Sequence, residues 1–317
     1  MNIYYFRKTF IYNTIRFKIG RMYLARISII GSGVVGSIVG MGFRELGNDV
    51  VFYDIDEKKM EALREKGIDS TTNINKAIHN SDISFVAVPT PSKDGKIDLT
   101  FVKTVIGDIA NVLKNKDTYH TIVIKSTVVP TTTEKVVKPI IETLSGKKCG
   151  EDFGLCMNPE FLTEVNNTWT DDTSMTRGFF SEERIVIGEF DKKAGDIVEE
   201  LYKPLNVPIF RTNTKVAELI KYASNSALAT RISYWNEIYY ICEGLGIDSD
   251  FVARIVGMDK RIGKYGTIHK KAFGGKCLPK DLQAIIAFSK QIGHEPILLN
   301  AVHEVNERIK EEKGVRE

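Results

Sequence analysis

The segment Gly31-Ser-Gly33-Val-Val-Gly36 constrains this chain more than any other, because of what stands on either side of it. Residues 24–30 before it form a short apolar run suited to a buried parallel strand. After it a helical stretch reaches Leu46, and a second strand over 49–53 ends at Asp54. A strand, a glycine turn and a helix in direct succession make the phosphate-binding corner of a doubly wound sheet. The glycines have separate tasks: Gly31 makes the tight turn, Gly33 admits a pyrophosphate to the backbone, and Gly36 lets helix and strand pack closely. Val34 and Val35 lie at the helix N-terminus that faces the phosphates. Asp54 stands 18 residues beyond Gly36, where a carboxylate accepts ribose hydroxyls and repels a 2′-phosphate, so NAD is favoured over NADP.

The alternation continues, with strands expected at 83–88, 121–125 and 153–157 and helices at 99–113 and 132–144. This predicts an α/β fold with a Rossmann-type doubly wound parallel sheet. Pro89-Thr90-Pro91 leaves the third strand as an extended turn at the carboxyl edge, where ligands of such sheets bind.

With 317 residues, 43% hydrophobic and 27% charged, the chain is long enough for two soluble domains. A net charge of +3 gives no footprint for nucleic acid. The uncharged stretch 27–43 is too short for a membrane span and holds five glycines. Cys149, Cys156, Cys242 and Cys277 show neither C-x-x-C spacing nor disulfide density, which fits a reducing cytoplasm, and no residue set marks a metal site. Residues 1–22, basic and aromatic without an acid, read as an extension, with Met22 as an alternative start. A cofactor domain is expected over 23–212 and a mainly helical domain over 213–317.

Asn158-Pro159-Glu160-Phe-Leu-Thr-Glu164 reads as an N-cap, a proline at the first helical position and two glutamates four apart on one helical face. Such a pair is either solvated or has something positive or protic between its members. A long helix over 214–243 carries an apolar stripe through Val216, Leu219, Ile220, Ala223, Ala227, Ile232, Trp235, Ile238, Tyr239 and Cys242, stopped by Gly244 and Gly246. Its length suggests a subunit interface, and hence a homodimer. Lys221 and Asn225 share one face of it, Lys221 beside the stripe, where a snorkelling lysine is the plain alternative. Further helices are expected at 249–256, 281–289 and 297–309. In Phe273-Gly-Gly-Lys-Cys-Leu-Pro-Lys-Asp281, Cys277 stands at the mouth of a helix between Lys276 and Lys280. The helix N-terminus and the lysines are expected to lower the thiol pKa.

Taken in order, the glycine turn, Val88-Pro-Thr-Pro91, Lys125-Ser-Thr127, Asn158 to Glu164, the Lys221/Asn225 helix, Asp259-Lys-Arg-Ile-Gly263 and Gly274-Gly-Lys-Cys-Leu-Pro-Lys-Asp281 resemble the UDP-glucose and GDP-mannose dehydrogenase family. The resemblance implies oxidation of a nucleotide-sugar C6 alcohol to a carboxylate in two hydride transfers, consuming two NAD and one water. Cys277 would be the nucleophile that forms a thiohemiacetal and then a thioester. Lys221 and Asn225 would stabilise oxyanions, and Glu160, Thr127 and Asp281 would activate water, with either Glu160 or Glu164 as base. By the same resemblance Lys59, Pro89, Thr90, Thr127, Glu164 and Lys280 serve the cofactor. Phe161, Leu162, Glu164, Lys221, Asn225, Gly274 and Arg261 serve the sugar nucleotide, Arg261 from a neighbouring subunit. The Pro-Lys-Asp ending resembles the UDP-glucose and GDP-mannose branches, and UDP-glucose is the expected substrate. The family's C-terminal nucleotide-gripping domain is not expected in this chain. Val165, the stretch His269-Lys-Lys-Ala272 and Lys276 depart from the family pattern. A single-step β-hydroxyacid dehydrogenase and an inactive NAD-binding, dimerising remnant are the alternatives.

Overall fold

The computed structural model describes residues 24–93, 95–163, 169–172, 175 and 177–316. The first half alternates β1 (Arg26–Ile30), α1 (Val34–Glu45), β2 (Asp49–Tyr53), α2 (Glu57–Arg64), β3 (Ser70–Thr71), α3 (Ile74–His79) and β4 (Ile83–Val86). A small hairpin, β5 (Ser92–Lys93) and β6 (Lys96–Ile97), precedes α4 (Thr100–Leu113), β7 (His120–Ile124), α5 (Lys138–Ser145) and β8 (Phe153–Met157). Then come β9 (Ile185–Glu189), α6 (Lys192–Tyr202) and β10 (Ile209–Asn213).

Eight of these strands form one sheet in the order β10-β9-β8-β7-β4-β1-β2-β3. Every neighbouring pair is parallel except β8 with β9, so the sheet is mixed at that one seam. The central strands β4, β7 and β8 are buried at every position, as strands covered by helices on both faces must be. One core lies on each side: Ile106, Ile109, Ile122 and Ile141 on one face, and Phe43, Phe52, Phe85 and Tyr202 on the other. The order of strands reverses between β1 and β4. Their carboxyl ends therefore diverge and open a crevice at Gly31.

The second half is helical: α7 (Thr214–Leu245), α8 (Ser249–Val256), α9 (Leu278–Gln291) and α10 (Ile297–Lys313), with a two-stranded pairing of β11 (Ala272–Phe273) and β12 (Val315–Arg316). Asn213 caps α7 by accepting from the Val216 N–H, and Gly246, at φ 65°, ends it, so Gly244 is a helical residue and not a stop. Helices α9 and α10 pack on α7 around Ile232, Phe273, Leu282 and Val302. Among the described residues no helix is long and apolar enough to cross a membrane.

Three sequence expectations are corrected. The helix expected over 132–144 begins as a π turn, Thr133–Val137, before α5. Pro139 has no N–H to offer residue 135, so the turn above it widens. Residues 158–163 are irregular and not helical. The Asn158 side chain does not cap a helix, because Lys125, Tyr202 and the Val186 carbonyl occupy it. Finally, the apolar stripe of α7 faces inward mainly from Ile232 onward, with Ile220 the one earlier member packed on the sheet core. In its first half Val216, Leu219, Ala223 and Ala227 are exposed, while Glu218, Lys221 and Asn225 are buried. A polar site under the helix and an apolar surface outside it invert the usual pattern.

Candidate active site

The glycine corner separates into the three tasks its sequence suggests. Gly31 has φ +98°, and a Cβ there would stand 2.7 Å from the Ala87 carbonyl oxygen. At Gly36 a Cβ would meet the Gly31 carbonyl oxygen at 2.0 Å, so helix and turn touch backbone to backbone. At Gly33 a Cβ would meet nothing within 4 Å. That open space belongs to a cavity of about 880 Å³ lined by Gly31, Gly33, Val34, Val35, Asp54, Lys59, Pro89, Thr90, Thr127, Lys280 and Asp281, among others. The Asp54 carboxylate is held at the cavity edge by the N–H groups of Ser32 (2.9 Å) and Asp56 (3.1 Å), with the Lys59 ammonium at 3.6 Å. Thr90 donates its hydroxyl to the Thr127 carbonyl at 2.9 Å and so ties the two strand-end loops together. An acid at the tip of β2 and unfilled space above Gly33 fit a dinucleotide with free ribose hydroxyls.

A second cavity, of about 550 Å³, lies on the far side and is lined by Phe161, Leu162, Lys221, Asn225 and Gly274, together with Trp169, Arg184 and Tyr265. Glu160, Lys276 and Cys277 line both cavities. Cys277 is the N-cap of α9, and Asp281 donates its backbone N–H to the Cys277 carbonyl at 2.9 Å. Around the thiol stand two acid and amine or amide pairs. The buried Lys221 ammonium donates to the Glu160 carboxylate at 2.8 Å, and Asn225 Nδ2 donates to Asp281 Oδ2 at 2.6 Å. Lys280 contacts the other Asp281 oxygen at 2.5 Å.

These charges reverse the expectation for the cysteine. Cys277 is exposed to solvent through the cleft, yet desolvation by the cleft walls and the nearby Glu160 carboxylate push its pKa up, with Asp281 adding to them and Lys221 and Lys280 opposing. Pro279 at the second helical position removes one N–H from the helix end, and Asp281 puts an acid in the first turn, so the helix terminus is outweighed. Burial works against the charge on Glu160 too, but the Lys221 ammonium and the Leu162 N–H hold its carboxyl below the usual range. The solvated reading of Glu160 and the snorkelling reading of Lys221 both fall.

Glu164 lies outside the described residues, as do residues 1–22. Arg261 pairs with Asp259 on the surface and lines neither cavity of its own chain. Two site residues were given no role by the sequence reading. Lys125, which opens the Lys125-Ser-Thr127 motif, lines the cofactor cavity, and a charged residue closing a buried apolar strand was the available signal. Arg184 stacks on the Phe161 ring at 4.3 Å, a contact between distant segments that no local pattern announces.

Profiles of known families match nearly the whole described chain. The NAD binding domain of the UDP-glucose/GDP-mannose dehydrogenase family matches residues 25–69 and 63–206, and the central domain of the same family matches residues 215–308. The UDP-glucose 6-dehydrogenase of Haloferax volcanii is 40% identical over 306 residues, covering 89% of this chain and 69% of its own length. A GDP-mannose 6-dehydrogenase of Pseudomonas savastanoi is 38% identical over 304 residues, covering 89% and 68%. A solved UDP-glucose dehydrogenase from the archaeon Pyrobaculum islandicum superposes with a TM-score of 0.84 at 33% identity, covering 92% of this chain and 70% of that one.

Proposed function

Since the chain belongs to the UDP-glucose/GDP-mannose dehydrogenase family, whose members are NAD-dependent, we propose that it oxidises the C6 alcohol of a nucleotide sugar to the carboxylate, with UDP-glucose as substrate. The observation that carries this reading is the thiol at the junction of two cavities. Cys277, with Glu160 beside it, borders both the crevice that fits a dinucleotide and a second cavity that takes the sugar end. When bound, NAD supplies the hydride acceptor for each of the two oxidations.

The alcohol proton of the substrate passes to the Asp281 or Glu160 carboxylate as C6 is oxidised, while the Lys221 ammonium stays charged beside Glu160. The Cys277 thiol gives its proton to Glu160 or Asp281 as its sulfur adds to the C6 aldehyde. The acids that raise the thiol pKa are thus also the bases that collect its proton. Lys221 and Asn225, one helical turn apart on α7, stabilise the hemithioacetal oxygen. Oxidation of that adduct leaves a Cys277 thioester. Glu160 and Thr127 orient the water that opens it, releasing the carboxylate and restoring the thiol. Phe161, Leu162 and Gly274 shape the sugar cavity. Arg261 contributes across a subunit boundary.

We assign residues 23–212 to the cofactor domain and 213–317 to the helical domain, and infer a homodimer formed through 214–243. Its support is the exposed apolar surface of Val216, Leu219, Tyr234 and Ile241, which continues through Ile247 in the connection into Phe251 and Ile255 of the next helix. The experiment is to mix the purified chain with NAD and a panel of UDP- and GDP-sugars, with Cys277→Ser as control. The acid from UDP-glucose in the wild type, and no acid from the variant, is the expected result. Full conversion to acid by Cys277→Ser would eliminate the thioester.

A further inference from the structure

We propose that Lys125 is a positioning residue: its buried ammonium clamps the turn 158–160 and thereby aims Glu160 at Lys221 and the Cys277 thiol. The proposal rests on the role given to Glu160 above. Parallel register sets β7 beside β8 up to Ile124 and Met157, so the next residues on each strand, Lys125 and Asn158, emerge side by side at the carboxyl edge. Lys125 is 5% exposed, and its Nζ donates to Asn158 Oδ1 at 2.9 Å and to the Pro159 carbonyl at 3.3 Å, with the Tyr202 hydroxyl at 3.5 Å.

Asn158 is fully buried and cannot turn away. Its Nδ2 donates to the Val186 carbonyl at 2.8 Å, its Oδ1 accepts from Tyr202 at 2.7 Å, and its backbone N–H donates to the Ile124 carbonyl at 2.9 Å. The Pro159 carbonyl belongs to the peptide that begins Glu160. A lysine that grips this carbonyl therefore fixes where the Glu160 side chain starts.

The three contacts of the ammonium are neutral oxygens. A buried cation without a carboxylate in contact costs stability, so packing gives no reason for its presence. The titratable and charged groups facing it are Glu182, Glu160 and Lys221, together with the Tyr202 hydroxyl. Burial brings Lys125 down to about 8, with Lys221 acting in the same direction and the two glutamates opposing. Above that pH the charge-assisted bonds of the clamp weaken.

The test uses Lys125→Met, which keeps most of the unbranched side chain and removes the ammonium with its charge, and needs no substrate in its first arm. The rate of iodoacetamide alkylation of Cys277 is followed against pH, and thermal melting is measured at pH 7. Glu160 raises the thiol pKa, so a released Glu160 lets the alkylation midpoint fall, by at least ~0.5 pH unit, or ~3-fold in thiolate at fixed pH. Melting is expected at the wild-type temperature or above. An unchanged alkylation profile overturns the clamp, as does a lower melting temperature, which would mark Lys125 as a structural residue. In the second arm, intact mass of the protein with NAD and UDP-glucose is followed in time. Lys125→Met accumulates the Cys277 acyl adduct because its hydrolysis slows ~10- to 100-fold, the scale of a misplacement of about 1 Å. Hydrolysis as fast as in the wild type overturns the proposal. A wild type that yields no product defeats the proposed function instead, and the alkylation arm still decides the clamp.

Discussion

Gly33 and Gly36 are three residues apart in one turn, and alanine at each should do different things. At Gly36 the new Cβ would be 2.0 Å from a backbone oxygen, against 3.4–4 Å for an ordinary contact, so the helix must retreat by more than ~1 Å. Overpacking of this kind costs roughly 1–3 kcal/mol. It also withdraws the helix N-terminus from the phosphates. At Gly33 the Cβ meets nothing, so the folded chain keeps its stability to within about 0.5 kcal/mol. The methyl instead occupies the place where a pyrophosphate approaches the backbone, and a displacement of about 1 Å in bound geometry can cost 100-fold. Thermal melting and NAD calorimetry on both variants separate the effects. Gly33→Ala should melt like the wild type and lose at least ~10-fold in NAD affinity, about 1.4 kcal/mol. Gly36→Ala should lose in both. Wild-type NAD affinity in Gly33→Ala would refute the assignment of that space to the cofactor.

Lys221→Met leaves the buried Glu160 carboxylate without its cation, which should destabilise the chain by about 3–5 kcal/mol. Replacing both, as Lys221→Met with Glu160→Gln, should restore most of that in a urea melt. Glu218 lies buried under three donors from Thr131 and Thr133, and burial raises its pKa from the ordinary 4.5 to about 7. A carboxyl whose proton is held more tightly in the folded chain stabilises it below pH 4.5, and this stabilisation is lost as pH rises through about 7. The shift is equivalent to roughly 3 kcal/mol, and Glu218→Gln should flatten that limb of melting temperature against pH. Ile241→Glu puts a charge on the exposed apolar face of α7, and sedimentation is expected to find the inferred dimer in the wild type and monomer in the variant.

Much of the fold was legible because the β-α alternation is local. Strand 49–53 and strand 153–157 coincide with apolar runs closed by polar residues, and the glycine corner declares itself by spacing. The site was legible where one segment carries the chemistry, as at Cys277. It was not legible where distant segments decide the outcome. Asn158 and Pro159 imitate a helix start, but the Asn158 side chain is claimed by Lys125 and Tyr202, 33 and 44 residues away. The upward shift of Cys277 comes from burial by the cleft walls and then from Glu160, both brought in from distant segments. The stripe on α7 was correct as an apolar row and wrong in direction over most of its first half, because periodicity identifies a face without saying whether the same chain or a partner covers it.

The proposed chemistry has one thiol serving two successive oxidations. The most direct measurement is the number of NADH formed per UDP-glucose consumed, read by absorbance against product, in the wild type and in Cys277→Ser. Two NADH per substrate in the wild type, falling to one or none in the variant, is the predicted result. One NADH per substrate in the wild type, with no dependence on Cys277, would contradict it.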